Sequence, residues 1–256
     1  MIAHIALNAA ISAACFGALW LVGVRLKDVS FIDSWWGLGI GVLALAAYLE
    51  AGAHGPHNKL LLVLCEAWAL RLGLYLLWRW RRNGPDARYA RLLGRVKMSF
   101  APASLLYVFA LQFVLQFIVS LPVQMGQWSE TAVGPLGIAG AALTAFGIAF
   151  ESVADWQLVR FKSDPENAGH VMGLGLWRYT RHPNHFGDAC AWWGLYLVAA
   201  ESPYGIWTFP APILMTWLLT SWSGAPTVER RMRRRPDYAA YVARTPGFVP
   251  WVPKKS

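Results

Sequence analysis

VSFIDSWWGLGIGVLALAAYLE, residues 29–50, decides the fold. It is apolar for about 20 residues, the length at which an α-helix crosses a hydrocarbon core of roughly 30 Å. Asp33 stands near its start, three residues after Ser30, a spacing that suits a capping box with the carboxylate at the positive end of the helix dipole. Gly37 and Gly41 are spaced for close helix packing. GLGIGV lacks the third glycine of a dinucleotide fingerprint, and no strand precedes it.

Outward from this run, the chain shows the same signal repeatedly. Apolar segments near 3–24, 31–50, 59–80, 101–122, 135–157, 184–200 and 204–223 predict an all-α integral membrane protein with seven spans. Composition agrees, with 56% hydrophobic residues, 15 tryptophans and 14% charged residues, far from soluble averages. The first segment has no basic leader and reads as a retained helix. We expect a single transmembrane domain over 1–256, with loops 81–100 and 158–183 and a tail 224–256 on one side.

The basic residues set the orientation. All except Lys59, Arg71 and Arg79 fall before the second span, between the third and fourth, between the fifth and sixth, or in the tail. The alternate loops carry none. The positive-inside rule then puts the N-terminus outside and the C-terminus in the cytoplasm. The net charge of +9 is accounted for by topology and anionic lipid, so no nucleic-acid partner is expected. No obligate protein partner is implied. Cys15, Cys65 and Cys190 lie in three different spans and predict buried free thiols.

Ionisable side chains inside a span cost about 2.5–3.5 kcal/mol each on insertion scales, so each needs a partner or a purpose. Among them are Asp33, Glu66, Arg71, Glu151, Asp155 and Asp188. Arg71, Tyr75 and Arg79 recur at four-residue spacing and form a polar stripe. Glu151 and Asp155 share one face and need a cationic or hydroxylic answer, from arginines or from a nucleotide. Gln112 and Gln116 repeat the spacing, which suits interhelical hydrogen bonds.

GLGLWRYTRHPNHFGD, residues 173–188, carries most of the functional signal. Pro183 suits the first position of a helix whose initial N–H groups are unpaired, and Arg178, Arg181 and His182 precede it. This is an anion site suited to phosphate. His182 and His185 lack a third strong ligand, so no metal is expected. The RRMRRR cluster at 230–235 reads as a headgroup-binding segment or as a second clamp on a cofactor.

With these pieces in order, the chain resembles the membrane steroid 5α-reductase family, in particular its bacterial homologues. The resemblance runs through VSFIDSWWG, RLGLYLLWRWRRNGPDARY, the polar end of the fifth span, GLWRYTRHPNHFGD and ERRMRRRPDYAAYVARTPGFVPW. It implies NADPH entering from the cytoplasm and reducing the Δ4 double bond of a 3-oxo-Δ4 steroid, or another membrane-soluble enone. By position it sets Asp33, Trp36 and Trp68 against the substrate. Eukaryotic members have glutamate where Asp33 stands and tyrosine where Trp68 stands, so a hydroxyl donor is lost, and Glu66, Arg71 or Tyr75 is the expected substitute. Cofactor contacts carried over by motif are Arg71, Tyr75, Arg82, Glu151, Asp155 and Lys162, then Asn184, Asp188, Arg231 and Arg244. Arg178, Tyr179, His182 and Tyr241 complete the expected cofactor set. If Asp33 donates to the developing enolate it must be protonated, as burial beside a steroid favours.

Two other classes share part of this pattern. Isoprenylcysteine-type methyltransferases carry a similar RHP element for S-adenosylmethionine, which has no phosphate to engage the arginines. A sterol- or lipid-binding membrane protein needs only a polar cavity and leaves the RHPN helix start without a purpose.

Overall fold

The computed structural model describes residues 2–52, 54–128 and 132–254, and among these all regular structure is helical. Lys255, one of the basic residues of the tail, lies outside them. Five helices are long and apolar enough to cross a membrane, which makes this a multi-pass membrane protein. They are α1 (Ile2–Leu26), α2 (Ile32–Ala51), α3 (Pro56–Asn83), the composite Phe100–Val119, and α8 (Pro135–Ser163). The composite joins α5 (Phe100–Ser104) and α6 (Leu111–Val119) through a π-helical segment, Leu105–Ala110.

The predicted sixth span is α9 (Pro183–Ala199), 17 residues long and shorter than the other spans. The predicted seventh is broken. A 3-10 turn at Gly205–Thr208 is followed by α10 (Pro210–Trp217) and a π-helical turn, Leu218–Trp222. Prolines at 203, 210 and 212 explain the interruption, because each removes a backbone donor. Short helices complete the chain: α4 (Ala87–Leu93), α7 (Leu121–Met125), α11 (Ala225–Met232) and α12 (Tyr238–Arg244).

The described chain forms two compact units, 1–138 with 196–211, and 139–195 with 212–256. In the first, α2 and α3 make the tightest pairing, as the small residues of α2 predict. A Cβ on Gly37 would stand 2.5 Å from the carbonyl oxygen of Ala69, and one on Gly41 would stand 2.8 Å from Glu66 Oε2. The α1–α2 corner turns on Lys27, which sits at φ 53° without being glycine. Its geometry is held by Asp28 N–H donating to Gly23 O at 3.2 Å, a helix-terminating bond. Phe16, Val29, Ile32, Val108 and Phe109 pack an apolar cluster against this corner.

The same unit buries many polar side chains. Asn8, Ser12, His57, Asn58, Gln116, Gln124 and Gln127 are all nearly or fully buried. Each has at least one polar atom without a hydrogen-bond partner among the described residues. Such an atom costs about 1–3 kcal/mol when left dry.

In the second unit, α8 and α9 approach at backbone distance. A Cβ on Gly147 would meet Gly187 O at 2.5 Å, and one on Gly194 would meet Thr144 Oγ1 at 2.4 Å. Trp177 Nε1 donates to Ala154 O and seats the 175–178 turn on α8. The cysteines are free thiols, as expected, but only Cys65 is buried; Cys15 and Cys190 are half-buried.

Candidate functional site

At the start of α2, Asp33 is the centre of a hydrogen-bonded cluster. Asp86 caps α4 by accepting from Arg88 N–H at 2.8 Å, and its other oxygen accepts from Arg88 Nε at 2.8 Å. This fixes the guanidinium so that Nη2 donates to Asp33 Oδ2 at 2.7 Å. The Tyr89 hydroxyl donates to Asp33 Oδ1 at 2.5 Å and accepts from Gln112 Nε2 at 3.0 Å. Gln112 Oε1 in turn accepts from Trp36 Nε1 at 2.9 Å. Burial alone would lower the Arg88 pKa, but Asp33 and Asp86 more than reverse this and raise it. Burial, reinforced by Asp33, pushes the Tyr89 phenol well above its ordinary value, so it keeps its proton.

This corrects one expectation about Asp33. No side chain caps α2, and the local turn is instead closed by Asp28, which accepts from Ser30 N–H and Oγ at 2.9 and 2.6 Å. Burial pushes Asp28 up, yet the hydrogen bonds from Ser30 and Trp80 hold it below the usual carboxylate value. Both Asp33 oxygens are acceptors, one from a guanidinium and one from a phenol.

Among the other candidates in this unit, Trp68 is fully buried and Trp36 is half-buried. Glu66 is half-buried with Oε1 unpaired among the described residues. The stripe on α3 is realised in part, since the Arg79 guanidinium lies 5.9 Å from the Tyr75 ring centroid. Tyr75 also stacks on Trp78, and the exposed Arg82 covers that tryptophan at 5.4 Å. Arg71 is half-buried on the same helix.

In the second unit, Pro183 begins α9 as expected. Arg181 Nε and His182 Nε2 lie 3.1 and 3.0 Å from the same oxygen of Glu229. The anion they meet here is thus a protein carboxylate. Arg181 Nε is buried and not aligned for a hydrogen bond with Glu229, so its N–H donor is unspent. Arg181, His182, Glu229, Arg230 and Arg233 line a cavity of about 480 Å³. Burial lowers the His182 pKa, with Glu229 opposing, and the ring is neutral near pH 7. It stacks on His185 at 5.3 Å.

The glycine contacts of α8 and α9 bring Glu151 and Asp155 beside the start of α9, where Asn184 Nδ2 donates to Asp155 Oδ1 at 3.3 Å. Glu151, Asp155 and Asp188 are buried. Tyr241 is a structural pin, its hydroxyl donating to Trp177 O at 2.7 Å, and burial raises its pKa. Tyr179 is exposed, and its carbonyl accepts from Trp251 N–H. Lys162, Arg178, Arg231 and Arg244 are exposed.

Arg88, Tyr89 and Glu229 are the residues the sequence reading did not single out. A signal existed for the first two, because Asp86 two residues before Arg88 marks a helix cap, and a capped helix start fixes the directions of its first side chains.

A family profile described as "Protein of unknown function (DUF1295)" matches residues 19–245. An uncharacterized protein of Schizosaccharomyces pombe is 23% identical over 91% of this chain and 75% of its own length. No solved structure matches the chain.

Proposed function

We propose that this chain, which belongs to the DUF1295 family, is an NADPH-dependent reductase of the Δ4 double bond of 3-oxo-Δ4 steroids or of another membrane-soluble enone. In this reading it spans a bacterial inner membrane seven times, with the N-terminus outside and the cofactor reached from the cytoplasm. The observation that carries it is the proton held by Tyr89 between Asp33 and Gln112 at the end of a membrane helix.

The residues suit the cofactor's chemistry. A buried, unspent Arg181 donor and the cations Arg230 and Arg233 line a cavity fit for a phosphate-bearing group. Asn184, Asp155 and Glu151 offer amide and carboxylate groups that suit ribose and carboxamide. Bound NADPH would supply hydride to the enone β-carbon. The chain's own part is to orient the carbonyl and to supply a proton. Turning about its C–O bond, the Tyr89 hydroxyl presents its proton to the enolate oxygen, and the enol then returns to the ketone with hydrogen at the α-carbon. Asp33 and Arg88 hold the phenol in place, and Trp36 and Trp68 supply apolar wall.

The test is purification in detergent and addition of NADPH with a Δ4-3-ketosteroid, following cofactor oxidation and steroid product together. Coupled loss of NADPH and appearance of the 5α-3-oxosteroid is the expected result. Binding of S-adenosylmethionine without binding of NADPH would overturn the reading in favour of a methyltransferase. Steroid binding without turnover would overturn it in favour of a lipid-binding protein.

A further inference from the structure

The polar side chains buried in the first unit fall into rows. Gln112, Gln116, Ser120 and Gln124 recur every four residues along α6 and α7. At 1.5 Å per residue the row rises about 6 Å per step and about 18 Å in all, more than half of a hydrocarbon core. One end is the Asp33 cluster, through Gln112 and Tyr89. Ser120 Oγ accepts from Gln124 Nε2 at 2.7 Å. At the other end Asn58 Nδ2 donates to Gln127 O at 2.6 Å, and His57 Nε2 contacts Val198 O at 2.8 Å. His57 and Asn58 begin α3, so the α2–α3 hairpin puts them at the opposite end from Asp33.

A second row comes from α1, where His4, Asn8 and Ser12 share one face. His4 pairs with Glu50 at 3.1 Å and packs its ring on Trp128 at 4.4 Å. Without a hydrogen-bond partner among the described residues are Asn8 Oδ1, Ser12 Oγ, Gln116 Oε1 and Gln124 Oε1, then His57 Nδ1, Asn58 Oδ1 and both polar atoms of Gln127. They include donors and acceptors at fully or almost fully buried positions. A step of about 6 Å matches one water making two hydrogen bonds.

We infer that the first unit holds a hydrated polar track through which protons reach Tyr89 from the His57 end of the bundle. Its proton-supplying role rests on the reductase reading; its hydration does not. In each turnover one proton leaves the Tyr89 oxygen for the substrate, and one proton from bulk water restores that O–H bond. The titratable groups nearest the track are His4, Glu50 and His57 at the entrance, Asp33, Arg88 and Tyr89 at the far end, and Glu66 against Gly41 on α3.

The experiment uses the full chain with its three cysteines replaced by alanine and reconstituted in vesicles. Single cysteines are placed at Ser12, Ser120, the lipid-exposed Val114 and the exposed loop residue Arg91. Silver ion, small enough to follow a file of water, is added to one side, and surviving thiols are counted with maleimide after denaturation. Ser12→Cys and Ser120→Cys should react at least ten times faster than Val114→Cys, and from the side opposite to Arg91→Cys. Reaction of the track positions no faster than Val114→Cys, or only from the Arg91 side, would overturn the track whether or not NADPH is oxidised. In a chain that turns over, Gln116→Leu should slow turnover about tenfold with NADPH affinity unchanged. An unchanged rate would overturn the proton role, whereas absence of turnover in the wild type counts against the reductase reading and leaves hydration decided by the thiols.

Discussion

Tyr89 is the residue on which the proposed chemistry turns. Tyr89→Phe removes one hydroxyl that donates to Asp33 and accepts from Gln112, while the Arg88–Asp33 pair persists. Turnover should fall about 10²-fold or more, the scale of lost general-acid catalysis, with NADPH affinity unchanged by fluorescence titration. Asp33→Asn should likewise impair turnover more than cofactor binding. At the other centre, His182 is buried and its pKa lies below the ordinary histidine value of about 6.5. The unfolded state therefore binds more protons than the folded one between those two values. His182 contributes stability that is fully present above pH ~6.5 and is lost as pH falls through the folded pKa. Apparent melting temperature in detergent should drop between pH 7.5 and 5.5, and His182→Gln should flatten that profile. Asp33 was legible as an acid inside a span, but its partners were not. They stand 55 and 56 residues further along, in a loop whose arginines looked sufficient as topology signals.

Close approach of paired helices is the device that recurs among the elements. The Gly37 and Gly41 spacing was legible because both glycines sit on one face of one apolar run. The α8–α9 contact was not, since Gly147 answers Gly187 and Ala191 from a different helix and no local pattern announces it. The break after residue 204 is likewise invisible to hydropathy, which does not register what Pro210 and Pro212 remove from the backbone ladder. Gly147→Ala should destabilise by about 1–3 kcal/mol, the cost of overpacking, because its new methyl meets backbone atoms of α9 that side-chain rotation cannot move. Gly17→Ala, with nothing within 4 Å, should be neutral or slightly stabilising through helix propensity. Thermal denaturation of the two variants side by side checks both.

For the whole molecule, the parity of crossings decides where the ends lie. The five long helices are fixed by composition, and an odd count already places the two termini on opposite sides. Adding α9 and the α10 segment together keeps that outcome, whereas adding only one of them reverses it. End-to-end topology therefore cannot separate five crossings from seven, and a position between α9 and α10 is needed. Tyr204 is exposed there, and Arg91 and Arg178 are exposed in basic loops. With seven crossings, a cysteine at Tyr204 should react with a membrane-impermeant thiol reagent only from the side opposite to cysteines at Arg91 and Arg178. With five it would react from their side. The positive-inside rule excludes six, because the arginines of the 158–183 loop and those of the tail both belong in the cytoplasm and the segment between them must then cross twice or not at all. Two crossings are the arrangement that buries the apolar face of α10 and the turn after it in lipid, since Ile213, Trp217 and Trp222 are exposed on the described chain. Labelling of Tyr204→Cys from the Arg91 side would refute it.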